Sequence, residues 1–158
     1  MKEKIAAVLR EARDLMNDSG AHWVQWDLRT RHYDVDDGKQ VGDFMYCSLG
    51  AIYKVTGVDM DKVVWYDPDE GNVYADHESF LNLLTEGDVE VREAAIEALG
   101  DEIARSGWVQ PTHWGKPTTE EEKVNYRITS WNDSSGRQWD DVAAMFEAAA
   151  LRVETSDG

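Results

Sequence analysis

The chain has 158 residues, with 32 Asp and Glu against 16 Lys and Arg, a net charge of −16, and a single cysteine. A chain of that length buries a core without disulfide or metal staples, and one cysteine cannot form an internal disulfide, so a disulfide-stapled secreted scaffold is excluded. The charge is concentrated in the middle: residues 34 to 105 carry eighteen acidic and five basic side chains. That field repels nucleic-acid phosphates and anionic membranes, and can attract a basic protein surface.

In chain order, Ile5, Val8, Leu9, Ala12, Leu15 and Met16 recur at helical steps and predict a first helix over residues 3 to 16. Asn17-Asp18-Ser19-Gly20 supplies its stop, with Gly20 as a left-handed cap. Trp23 and Trp26 form either a single turn or an extended piece. Asp37-Gly38, between Tyr33-Asp34-Val35 and Gln40-Val41, suits the turn of a small hairpin. Asp43 reads as the N-cap of a second helix whose stripe is Phe44, Cys47, Ser48, Ala51, Ile52 and Val55, ending near Gly57. Around Cys47, Ser48, Gly50 and Ala51 that helix is slim enough for another helix or an aromatic ring to come close to its backbone.

Val63-Val64-Trp65-Tyr66 reads as a strand or extended connector. Asp76 or Ser79 opens a short helix to Leu84, and Asp88 opens a longer one, buried along Val91, Ala95, Ile96, Leu99 and Ile103 and ended by Ser106-Gly107. Residues 107 to 118, with Trp108, Pro111, His113, Trp114 and Pro117, predict a long structured loop. Thr119 and Glu122 have capping-box spacing at the start of a helix running to about Trp131. Asp133-Ser134-Ser135-Gly136 breaks it, and Trp139 to Val153 marks the last helix. The expectation is a mainly α, compact helical domain spanning 1 to 158, with about five helices and at most one small hairpin.

No motif fixes a reaction. Cys47 is the one candidate nucleophile, since a thiol near a helix N-terminus has a lowered pKa. His22, His32, His77 and His113 are available bases, with Asn132 or Asp133 to orient one. The catalytic alternative is therefore Cys47, His113 and Asp133. Against it, the papain-like signature around the cysteine is missing, and Cys47 shares a stripe with Phe44, Ala51 and Val55 as a small packed hydrophobe does.

One cysteine and four scattered histidines give no zinc spacing. Asp67 to Glu78 echoes a calcium loop, yet has Gly71 and Asn72 where a ligand and the turn glycine belong, so a Pro-Asp-Glu-Gly turn explains it. No metal or cofactor is expected.

Two islands carry a resemblance. Tyr46-Cys47-x-x-Gly50-Ala51-Ile52 and the run from Ile128 through Trp131-Asn132-Asp133 to Gly136-Arg137, Trp139, Asp141 and Val142 resemble a family of small uncharacterised proteins of actinobacteria and their phages. The resemblance implies an accessory protein of such an organism and carries over no catalytic residues.

The leading functional expectation is a protein-interaction module acting through its acidic surface and the Trp-rich loop, with Trp108, His113 and Trp114 touching a host or cellular protein that has a basic surface. The alternatives are a cysteine-dependent hydrolase or transferase, and an acidic DNA mimic. Neither a membrane span nor the apolar core of a signal peptide is apparent, so the expected setting is the cytoplasm, with no direct contact to nucleic acid or membrane.

Overall fold

A computed structural model of the chain describes residues 1–17, 22–34, 36–111 and 119–156, with the side chains of Tyr33 and Asp34 outside that description. The expected Gly20 cap, the Val35 end of the hairpin arm, and His113, Trp114 and Pro117 of the loop lie outside the described residues.

The architecture is mainly helical. Among the described residues, helices are α1 (Lys2–Leu15), α2 (Ser48–Val55), α3 (Met60–Val63), α4 (His77–Leu83), α5 (Val89–Arg105), α6 (Glu120–Asn132) and α7 (Trp139–Thr155). Two antiparallel hairpins interrupt them: β1 (Arg29–Asp34) with β2 (Lys39–Tyr46), and β3 (Val64–Asp67) with β4 (Gly71–Tyr74). Seven helices thus replace the five expected, and two hairpins the single one. The additions are short. α3 is one turn capped by Asp59, whose carboxylate accepts from Asp61 N, and β4 exists because the residues after Val63 fold back on themselves.

The core is a helix bundle. α1 packs on α7, α2 and α5, and α5 also packs on α6 and α7. Leu9, Ile52, Leu99, Ile103, Ile128, Trp131 and Phe146 are fully buried in it. The stripes responsible are those read from the sequence, because residues three and four apart share a helix face. Arg10 and Arg13 of α1 reach Glu147 of α7, and Arg10 also pairs with Glu154. Among the described residues, no helix is long and apolar enough to cross a membrane.

The expected caps are mostly in place. Asp76, Asp88 and Thr119 each accept a backbone N–H in the first turn of the helix they open. Asp37-Gly38 turns the first hairpin, with Gly38 at φ +65°. Asp67 Oδ1 accepts from Asp69 N at 2.8 Å and Glu70 N at 3.1 Å, so this carboxylate builds the tight turn of the second hairpin.

Asp43 is the exception. It lies inside β2 and caps nothing; α2 begins five residues later with Cys47 as its N-cap. The cause is tertiary. Tyr46 pairs with Arg29 across the hairpin and on its other side bridges Trp23, its N–H donating to His22 O and its carbonyl accepting from Val24 N. Those bonds hold residues 43 to 46 extended. They also hold His22 to Val24 extended, so Trp23 lies on an extended piece while Trp26 lies beyond it.

Two buried arginines tie the hairpins and helices together. Arg29 donates to Asp61 Oδ1 and Val64 O, and stacks 3.9 Å from the Phe44 ring centroid. Arg92 donates to Thr56 Oγ1 and to the carbonyls of Thr56, Leu84 and Glu86, locking the start of α5 to the end of α2.

Candidate functional site

The two sequence islands meet. Asn132, the last residue of α6, is fully buried. Its Oδ1 accepts from Trp23 Nε1 at 2.9 Å, Ser48 N at 3.1 Å and Ser48 Oγ at 2.7 Å. Its Nδ2 donates to Val24 O at 3.1 Å and Asp133 Oδ1 at 3.0 Å. One amide therefore joins α6, the first turn of α2 and the Trp23–Val24 strand-like segment. Gln25 extends the network by donating to the carbonyls of Asn132 and Ser134, and Trp26 N donates to Asp133 Oδ1 at 2.7 Å. Such a fully partnered buried network rigidifies what it joins.

Cys47 belongs to this junction as a cap. Its Sγ accepts from Gly50 N at 3.4 Å, and the residue is 4% exposed. Burial pushes the thiol up to about 12, and the negative charge of Asp133 adds to the effect. A helix N-terminus normally lowers a thiol pKa, but here desolvation wins. Among the described residues no histidine hydrogen-bonds the sulfur. His22 instead faces Asp43, at 3.5 Å, while His113 lies outside the described residues.

Asp133, the C-cap of α6, has its carboxyl raised above the ordinary range by burial, against the opposing bonds from Trp26 N and Asn132. It borders a cleft of about 610 Å³ whose lining includes Gln25, Trp26, Tyr126, Ser130 and Asp133. Trp26 stands at the rim 65% exposed, and its φ is +76°, a backbone region that non-glycine residues occupy at a cost.

Trp108 is half-buried and packs against the core. It walls a cavity of about 560 Å³ together with Glu102, Trp131, Arg137 and Met145. The Arg137 guanidinium lies 4.4 Å from the Trp131 ring centroid while Nε donates to Trp131 O, so the arginine of the second island supports the buried tryptophan.

A third concavity lies between α5 and α6, about 480 Å³, and it is acidic. Glu93, Glu97 and Asp101 of α5 face Glu120 and Glu121 of α6 across a floor of Ile96 and Val124. Lys123 pairs with Glu120 at 2.9 Å. None of Glu93, Glu97, Asp101 and Glu121 forms an ion pair among the described residues. Arg127 lines the same groove and turns Nη1 to Gly100 O. Asn125 also lines it, with Oδ1 buried and without a hydrogen-bond partner. Among the described residues no group of three or more His, Cys, Asp or Glu side chains is placed to hold a metal ion.

Sequence reasoning thus brought Cys47 and Asp133 to one junction, and missed Gln25, Trp26 and Tyr126, which reach the Asp133 cleft from distant segments. The α5 carboxylates carried a readable signal, since positions 93, 97 and 101 repeat every four residues and share one helix face.

A mainly helical protein, locked at a buried asparagine and bordered by an acidic groove, is the class that fold and site define. A family model described as "Family of unknown function (DUF6197)" matches residues 1–152, and the chain belongs to that family. No curated protein and no solved structure matches it.

Proposed function

We propose that the protein is an interaction module whose α5–α6 groove receives a Lys- or Arg-bearing segment of a partner protein. The observation that carries this reading is the line of three exposed carboxylates on α5, facing two more on α6 over an apolar floor. Like charges four residues apart weaken a helix by a few tenths of a kcal/mol per pair, so the line has a folding cost that a basic ligand would remove. From residue 93 to 101 the line spans about 12 Å at the α-helical rise. One turn of duplex DNA is about 34 Å, so the length favours a short basic peptide over a mimic of DNA.

Trp108 serves this reading as a wall of the neighbouring cavity at the end of α5, and the acidic middle of the chain supplies long-range attraction. The resemblance of the two motif islands to actinobacterial and phage proteins supports an accessory role in such an organism, exercised on a cellular or host protein. The cysteine-enzyme reading needs a reactive thiolate, and the burial of Cys47 weighs against it.

The test is calorimetric titration with an octalysine peptide at low and physiological salt. The expected result is saturable binding that weakens as salt screens it, and weakens at least about tenfold in the triple variant Glu93→Gln, Glu97→Gln, Asp101→Asn, about 1.4 kcal/mol. These side chains are exposed, so the variant is expected to fold. No binding, or equal binding by the variant, overturns the proposal.

A further inference from the structure

We propose that the cleft bordered by Trp26, Tyr126 and Asp133 is a binding site for a compact organic cation bearing N–H donors, an alkylammonium or guanidinium group, with the free oxygen of Asp133 as its counter-ion. The site is separate from the α5–α6 groove and does not depend on the function assigned to that groove.

Four observations converge on it. The cleft, about 610 Å³, falls within the range of small-molecule sites, about 300 to 1,000 Å³. Among the described residues, Asp133 uses only Oδ1, accepting there from Trp26 N and Asn132 Nδ2, and Oδ2 has no hydrogen-bond partner among them. Burial already raises this carboxyl, so a cation beside it gains more than it would from a carboxylate in open water. Tyr126 lines the same cleft and supplies a second aromatic side chain there.

Polarity selects the class of ligand. Gln25 spends its amide N–H groups on the carbonyls of Asn132 and Ser134, leaving its Oε1 as an acceptor. Among the described lining residues there is no lysine, arginine or histidine. Unspent acceptors and one carboxylate therefore call for a donor-rich cation. Trp26 adds an aromatic face at the rim, 65% exposed, of the kind that attracts cations. Its left-handed backbone is held by the bond from Trp26 N to Asp133.

The experiment is NMR titration of the full chain, following the Trp26 indole and the Asp133 amide. Agmatine is the free cation, a capped arginine tripeptide the protein-borne one, and N-butylurea the neutral comparison. Saturable shifts are expected with at least one of the two cations, at a Kd of about 1 mM or tighter, and none with the urea. Tighter binding of agmatine identifies a free metabolite-like ligand, and tighter binding of the tripeptide a side chain of a partner. Asp133→Asn retains an acceptor for Trp26 N and should weaken binding at least about tenfold. Tyr126→Phe keeps the aromatic ring and should change binding little. Trp26→Gly suits the left-handed backbone, so the variant should remain folded while binding falls. Octalysine binding at the α5–α6 groove should be unchanged in all three variants. Absence of saturable shifts with both cations, equal affinity of Asp133→Asn, or equal binding of N-butylurea overturns the assignment.

Discussion

Replacing Asn132 by leucine should destabilise the protein by about 4 kcal/mol or more, a large fraction of the stability of a domain this size. Leucine fits the volume but offers neither an acceptor nor a donor. Trp23 Nε1 and Ser48 N would lose their shared acceptor, and Val24 O its donor. Each buried group left unpaired costs about 1–3 kcal/mol, and here they sit on two separate segments that the amide ties to α6. Urea denaturation with far-UV circular dichroism measures the effect. Asn132→Asp is the sharper companion. It keeps Oδ1 but sets a carboxylate oxygen against Val24 O and Asp133 Oδ1, where Nδ2 now donates. The folded state disfavours that charge and so raises the new carboxyl's pKa. Stability is therefore expected to be lowest at neutral pH and to recover in part as pH falls and the group is neutralised. A loss below about 1 kcal/mol for Asn132→Leu would mean that the network holds nothing together.

The second large effect is expected at Gly50, in the other island. A Cβ placed there would lie 1.9 Å from Leu28 O and 2.8 Å from Leu28 C, well inside van der Waals contact. The obstacle is backbone, so no side chain can rotate away. Leu28 immediately precedes Arg29, whose guanidinium joins the first hairpin to Asp61 and Val64. Displacing the carbonyl therefore disturbs that junction as well. Gly50→Ala should cost about 3 kcal/mol, the upper end for overpacking of a tight interior, although alanine is the better helix former. A denaturation midpoint at or above that of the wild type would show that the Leu28 backbone can move freely.

Where a segment's own pattern decided its structure, the sequence was readable. Asp88 followed by Val91, Ala95, Ile96, Leu99 and Ile103 is a cap and a buried stripe, and α5 begins and packs accordingly. The same holds for Thr119 and for the Asp37-Gly38 turn. The misreading at Asp43 has a physical origin. Phe44, Cys47, Ser48 and Ala51 do fall on one helical face, but β2 has partners on both sides at Tyr46, and those long-range bonds outweigh a local preference worth a few tenths of a kcal/mol per residue. The slimness around Gly50 was also legible, while the occupant was not. A bare backbone carbonyl fills the space, in place of the helix or aromatic ring expected.

For the candidate sites the division is similar. The α5 carboxylates repeat along one helix, whereas their counterparts Glu120 and Glu121 depend on how α6 packs. Likewise Trp26, Tyr126 and Asp133 share a cleft only because Asn132 fastens the Trp23–Val24 segment to the end of α6. No spacing in the sequence encodes that meeting.

The central claim is that the two islands form a structural lock rather than a reaction centre, and alkylation of Cys47 by iodoacetamide tests it most directly. The thiolate is the reactive species. Burial and the neighbouring Asp133 hold the thiol neutral, with its pKa pushed up to about 12, against about 8.5 for an open cysteine. Labelling of the native protein at pH 7 should therefore proceed only through unfolding, its rate rising with urea in step with the loss of helix. Rapid labelling without denaturant, with a midpoint near neutral pH, would contradict the lock and return Cys47 to the list of nucleophiles.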